Sequence, residues 1–327
     1  MSELRWHPFL REWVITATHR QERTFFPPDD YCPLCPTKPG GFPTEIERED
    51  YDIVVFENKF PSLQRTPPEP SVEGNDLCPV RPAAGVCEVV CYTSDHKATF
   101  ADLDLPRVIR LVDVWADRTQ ELGARPDVHY VFVFENKGKE IGVTLSHPHG
   151  QIYAYPYIPP KIQTELDASR EHFERTGRKL MADVLRMEQE DGRRIVGGNG
   201  LWQAFLPFFA RYPYETYIAP VEHRGALPEL SPADRADLAR ALLDMARRYD
   251  KLWGFSLPYM MVFHQQPTDG GEHDHYTMHV EFYPPYRTPE KLKYLAGSES
   301  GAGAFINDTL AEEKAAELRA ADPGPIG

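Results

Sequence analysis

Apolar side chains recur along this chain with two different periods, and their order sketches a fold. Val108, Leu111, Val112, Val114 and Trp115, and again Leu238, Leu242, Leu243, Met245 and Ala246, keep the spacing that places them on one face of a helix. Two amphipathic helices are therefore expected, over 107–122 and 233–252. Runs rich in β-branched and aromatic residues at 53–56, 88–93, 128–134, 216–219, 260–264 and 277–283 read as strands. A third helix is expected over 165–191, a stretch rich in Glu and Arg that suits a solvated face and links the two parts of the chain. Prolines gather at 27–43 and 61–82, and because proline removes a backbone donor and fixes φ, these stretches read as irregular connections.

The pattern then repeats. Tyr130 to Gly138 has a counterpart about 129 positions later in Tyr259 to Pro267. Tyr92 to His96 pairs with Ile218 to His223, the first helix with the second, and the region of His147 with that of His279, all at nearly the same offset. A duplicated α+β unit accounts for this, each copy a largely antiparallel sheet with a helix packed across it. The halves are assigned as 1–195 and 196–327.

At 327 residues, with 41% hydrophobic and 12% aromatic side chains, the chain can bury a large core. It shows no apolar run approaching the ~18 residues of a membrane span and no basic-then-apolar opening segment, so a cytoplasmic protein without membrane attachment is expected. A net charge of −14 opposes nucleic-acid binding, which demands a basic footprint, and any phosphate ligand must be met by local cations. Among five cysteines, Cys32-Pro33-Leu34-Cys35 reads in a reducing compartment as a metal knuckle before a disulfide. A pair of reduced loop thiols is the ordinary alternative.

The densest chemistry lies in His147-Pro148-His149-Gly150-Gln151. If Ile141 to Tyr155 runs extended, His147, His149 and Gln151 share a face, while Pro148 and Gly150 shape the backbone between them. Gly150 would let a phosphate approach the main chain, and neutral imidazole attacks phosphorus well near neutral pH. From these residues alone, a nucleophile, a paired metal site and a satisfied buried histidine all stay open.

Further motifs narrow the choice. Arg5-Trp6-His7-Pro8, Glu12-Trp13-Val14, His19-Arg20-Gln21-Glu22-Arg23, the run Val55 to Pro61, Phe134-Glu135-Asn136-Lys137-Gly138, the His147–Gln151 pentapeptide and the run His279 to Pro285 stand in one order along the chain. With them the chain resembles, over nearly its full length, the galactose-1-phosphate uridylyltransferase family, a branch of the histidine-triad superfamily. The resemblance implies an enzyme of galactose metabolism that moves UMP from UDP-glucose to galactose 1-phosphate by ping-pong transfer, with His149 as the nucleophile that carries the uridylyl group. Gln151 stands where hydrolytic members of the superfamily carry a third histidine, and is implied to hold the phosphoryl oxygens. Another nucleotidyl transferase or phosphorylase of the superfamily, with a different base or acceptor, is the alternative; a zinc-stabilised nucleotide-binding module is a third reading.

The same resemblance implies the remaining sites. Arg20, Arg23 and Lys137 supply cations, the arginine loop entering a partner subunit's site in a homodimer. Asn58 and Asn136 contact the uridine and phosphate portion, Lys59 and Gly138 are further substrate-binding positions, and Val143 and Thr144 replace a Cys-Ser pair, Thr144 keeping a phosphate-binding hydroxyl. Lys293, Tyr294 and Glu299 match hexose-contacting positions, although Ser298 replaces an aromatic hydroxyl and Gly301-Ala302-Gly303-Ala304 stands where a glutamine is expected. Cys32, Cys35, His96 and His147 are implied to hold a structural zinc. Glu165, His264, His279 and Glu281 form a second set for zinc or iron, in which Glu281 replaces a histidine, with His273 and His275 near enough to confuse the assignment. Cys78, Cys87 and Cys91 have no implied role, and burial is the expectation for them.

Overall fold

The computed structural model describes residues 2–23, 31–198 and 200–326. In chain order its elements are β1 (Ser2–His7), β2 (Glu12–Ala17), β3 (Val54–Glu57), β4 (Val80–Pro82), β5 (Val86–Cys91), α1 (Leu105–Gly123), β6 (Tyr130–Lys137), β7 (His149–Tyr155), α2 (Pro160–Thr176), α3 (Leu180–Asp191), β8 (Ile195–Gly198), β9 (Trp202–Phe205), β10 (Thr216–Pro220), α4 (Pro232–Leu252), β11 (Tyr259–His264), β12 (His279–Tyr283) and α5 (Ala311–Ala320). Nine strands form one antiparallel sheet in the order β3-β5-β7-β6-β11-β12-β10-β9-β8, and β2-β1-β4 form a smaller one.

The duplication is visible in that order. From the outside inward, the first copy runs β3, β5, β7, β6 and the second, inside an additional edge strand β8, runs β9, β10, β12, β11, so corresponding strands take corresponding places. The copies meet where β6 pairs with β11, Phe134 opposite Val262 and Lys137 opposite Tyr259. In each copy a long helix follows the second of these strands, α1 after β5 and α4 after β10. Both start as their sequences dictate: the Asp104 side chain accepts from Arg107 N and the Ser231 side chain from Asp234 N, each followed by proline in the first turn. Such caps contribute ~1 kcal/mol each.

Val108, Leu111, Val112 and Trp115 of α1 and Leu238, Leu242, Leu243, Met245 and Ala246 of α4 are buried in one core with Val131, Val133, Ile152, Val280 and Phe282 of the sheet. Both helices thus cover the same sheet face, and the opposite face is left for chemistry. Cys87 and Cys91 are buried as expected, whereas Cys78 is only partly so.

Two expectations change. The helix over 165–191 is two helices, broken at Gly177, whose positive φ of 68° gives α2 a left-handed cap with its N–H on Phe173 O. Nor does the segment from Ile141 run extended: Lys139–Ile141 is a 3-10 turn, Gly142 is left-handed, and β7 begins only at His149. Glycine interrupts each of the two stretches.

Candidate active site

His149 opens β7, opposite Cys91 of β5, and Gln151 lies opposite Val89 of β5 and Phe134 of β6. The residue between them has to be glycine. A Cβ on Gly150 would stand 2.1 Å from Tyr92 Oη and 3.0 Å from Phe134 O, both fixed by the core. His149 Nδ1 lies 2.8 Å from His147 O, so Nδ1–H donates there and Nε2 keeps the free lone pair. Burial lowers the His149 pKa, which keeps this imidazole neutral at physiological pH.

His149 lines a cavity of about 410 Å³. Leu34, Phe56, Val89 and Leu145 give it an apolar side; Asn58, Lys59, Asn136, Val143, Thr144 and Gln151 line the remainder. Gln151 Oε1 accepts from Asn58 Nδ2 at 3.3 Å and Tyr153 Oη at 3.4 Å. Its amide NH2 is therefore the end turned to a ligand oxygen. Asn58 is itself set by Phe60 N, which donates to Asn58 Oδ1 at 2.9 Å, and so acts as much on Gln151 as on a ligand.

The expected cations are placed less simply. Lys137 and Gly138 line a second cavity of about 50 Å³ beside His149, and Lys137 Nζ is 2.7 Å from Asp250 Oδ1. Lys59 Nζ is 2.9 Å from Glu45 Oε1, a cavity-wall residue that sequence reasoning missed. Arg20 faces the phenol of Tyr153, and the Arg23 side chain lies outside the described residues. Lys293 and Glu299 are buried against each other at 3.2 Å, and Tyr294 is exposed; none of the three lines this cavity.

The first metal set assembles. One donor atom each from Cys32, Cys35, His96 and His147 lies within 4.8 Å of the others. Cys35 Sγ is 3.5 Å from His96 Nδ1 and 3.6 Å from His147 Nδ1. A tetrahedral zinc with bonds of ~2.3 Å to sulfur and ~2.0 Å to nitrogen sets an S···N separation of ~3.5 Å, so the donors fit. His147 Nε2, 2.8 Å from Thr93 O and 2.6 Å from Tyr51 Oη, carries the proton and leaves Nδ1 as ligand. Burial pushes the Cys35 thiol up to about 11 and His147 down to about 4, so Cys35 holds its proton and His147 stays neutral until an ion displaces the thiol proton. Tyr51 and Thr93 carried no signal in the sequence, because their roles are created by the loop that brings them to His147.

The second set also assembles. His264 Nδ1 is 2.9 Å from Glu165 Oε2 and 3.7 Å from Glu281 Oε1; His279 Nε2 is 3.3 Å from Glu281 Oε1 and 4.0 Å from Glu165 Oε2. A tetrahedral ion with N and O ligands at ~2.1 Å needs edges of ~3.4 Å, near the centre of that range. The outer oxygen of Glu281 is 2.5 Å from Lys161 Nζ, so the carboxylate that stands for a histidine has its additional charge offset. Burial opposes ionising Glu281, but His264, His279 and Lys161 overcome it and hold its carboxyl below the usual range. His273 pairs instead with Asp269 at 2.8 Å and takes no part.

Behind the sheet lies a further buried acid. Glu135 sits with the hydroxyls of Tyr92 and Tyr259, and one Glu135 oxygen and both hydroxyls have no hydrogen-bond partner among the described residues. Burial raises the Glu135 pKa from 4.5 to about 8.

Residues 1–159 match the family described as galactose-1-phosphate uridyl transferase, N-terminal domain, and residues 165–323 match its C-terminal domain. A Thermotoga maritima protein named galactose-1-phosphate uridylyltransferase is 41% identical over 98% of this chain and 98% of its own length. A solved uridylyltransferase structure is 36% identical, with a TM-score of 0.87, and covers 98% of both chains. An ADP-glucose phosphorylase from Arabidopsis thaliana shares the fold, at a TM-score of 0.72 and 23% identity.

Proposed function

The chain belongs to the galactose-1-phosphate uridyl transferase family, and from that premise we propose how its residues perform uridylyl transfer. It is an enzyme that moves UMP from UDP-glucose to galactose 1-phosphate, with His149 as carrier. Two sugar phosphates in one site repel each other, so parking the uridylyl group on a side chain separates them in time. His149 Nε2 attacks the α-phosphorus of UDP-glucose; the Nε2–P bond forms and the P–O bond to glucose 1-phosphate breaks. A phosphate oxygen of galactose 1-phosphate then attacks the same phosphorus, and the N–P bond breaks. Neither leaving group needs a proton, since one is a phosphate anion and the other an imidazole.

The observation that carries this reading is the orientation of His149. Its Nδ1 is tied to His147 O, which leaves Nε2 for a ligand, and the cavity it lines also holds the amide of Gln151, whose oxygen is already engaged. Gln151 donates to the phosphoryl oxygens as charge develops on them. We take the apolar side of the cavity for the base, Asn58, Asn136 and Thr144 for the phosphate and sugar portion, and Arg20, Arg23, Lys293, Tyr294 and Glu299 for contacts made across a homodimer. Lys137 and Gly138, in the adjoining small cavity, support the phosphate end, and Val143 shapes the wall beside Thr144. A structural zinc on Cys32, Cys35, His96 and His147 would fix the backbone two residues before the nucleophile. A second ion on Glu165, His264, His279 and Glu281 would serve structure. No helix among the described residues is long and apolar enough to cross a membrane, which agrees with a cytoplasmic site of action.

Intact mass spectrometry tests the reading directly. Incubation with UDP-glucose at mildly alkaline pH is expected to add one uridylyl group, and His149→Gly to abolish both the adduct and turnover. Stronger labelling by ADP-glucose would favour the phosphorylase alternative, and a folded enzyme that takes no label would leave only the binding module.

A further inference from the structure

Among the described cavity-lining residues, Glu45 is the one carboxylate and Lys59 the one ammonium, and they face each other at 2.9 Å. A carboxylate in a cavity for a diphosphate is unexpected, because it repels the ligand's charge. Its position suggests what it meets. Glu45 N donates to Pro33 O at 3.0 Å, which anchors the residue beside Leu34 on the apolar side. Lys59 follows Asn58, whose amide reaches Gln151 at the phosphoryl end. The ion pair therefore joins the wall on the apolar side to the wall at the phosphoryl end, the interval a ligand with its base on one and its phosphorus at the other has to cross.

In a nucleoside diphosphate that interval is occupied by the ribose, which turns two vicinal hydroxyls outward. Both are donors, and one ionised carboxylate can accept both. Lys59 offsets the carboxylate's charge, so that the neighbouring phosphates are not repelled. Resting on the transfer reading above, we propose that Glu45 accepts the ribose 2′- and 3′-hydroxyls and selects ribonucleotides, with Lys59 as its positioning residue rather than a phosphate cation. Glu45 is 30% and Lys59 65% exposed at the side chain, so the contact is at the mouth and only partly desolvated. Its effect is correspondingly moderate.

The measurement is the rate of uridylyl-His149 formation from UDP-glucose and from its 2′-deoxy and 3′-deoxy analogues. The unmodified enzyme should favour the ribonucleotide by about 10- to 100-fold, the range of a hydrogen bond to a charged group. Glu45→Ala should bring that ratio below ~3-fold by slowing UDP-glucose more than either analogue, each of which keeps one hydroxyl on Glu45. Glu45→Gln should keep part of the ratio, and provides the same comparison if the alanine variant does not fold. Lys59→Met should slow all three nucleotides and, by releasing Glu45, also lower the ratio; a uniform slowing with the ratio intact would make Lys59 a phosphate cation. Equal losses for UDP-glucose and the deoxy analogues in Glu45→Ala, or no ribonucleotide preference in the unmodified enzyme, would overturn the proposal. Failure of every nucleotide to label the unmodified enzyme would instead overturn the transfer reading.

Discussion

His149 and His279 open equivalent strands, β7 and β12, in the two copies of one unit. Each has Nδ1 near the carbonyl two residues earlier, His149 at 2.8 Å from His147 O and His279 at 3.2 Å from Thr277 O. Both strands thus present Nε2 in the same way. What stands opposite differs. In the first copy it is a cavity of about 410 Å³, and two residues along the strand an amide, Gln151. In the second, two residues along, it is a carboxylate, Glu281, with Glu165 and His264 closing the space. An amide beside a free imidazole suits an incoming phosphate, whereas a carboxylate beside it suits a metal ion. Duplication supplied one scaffold twice, and the residue two places after the histidine separates the chemistries.

Exchanging that residue should break the comparison most severely. Gln151→Glu removes a donor to the phosphoryl oxygens and sets a negative charge beside them, so uridylyl-His149 formation is expected to fall by about 10³-fold, with the melting temperature little changed. Near-normal labelling by this variant would remove Gln151 from the reaction. A smaller contrast comes from emptying the two metal centres. Cys32→Ser should lose zinc by elemental analysis and several degrees of melting temperature, at ~2–4 °C per kcal/mol. Glu281→Gln should lose only the second ion and still take the label. Full metal content with an unchanged melting point in Cys32→Ser would exclude that thiol as a ligand.

The last effect leaves the chemistry untouched and concerns the buried acid at the seam. Glu135 has its folded pKa raised from 4.5 to about 8, so its contribution to stability is fully present below about 4.5 and is lost as pH rises through about 8. Glu135→Gln should therefore leave stability unchanged near pH 4.5 and raise it by up to a few kcal/mol at pH 8, at ~1.4 kcal/mol per pKa unit. Melting curves at the two pH values measure this, and an equal change at both would show that folding does not raise the Glu135 pKa.

Much of this was legible in the sequence. The helices α1 and α4 follow from their apolar spacing, and the near-constant offset of about 129 residues announced the duplication that the strand order displays. Both metal sets assemble from residues named by motif. The failures share a cause. Gly177 ended a helix inside an apolar and charged run that looked continuous, and Gly142 delayed a strand, because backbone sign at a glycine is set by what the chain must do next. Glu45, Tyr51 and Lys161 were missed because each meets its partner through a tertiary approach that no periodicity encodes. Lys137 matched a motif, yet Asp250, 113 positions away, engages its ammonium.

The pairing of β6 with β11 makes the sheet continuous from one copy to the other. Severing the chain between the copies would leave each with an unsatisfied row of amides and carbonyls along its inner border, ready to recruit any extended segment. Each copy on its own would therefore need another strand on that border, which the partner copy supplies within one chain.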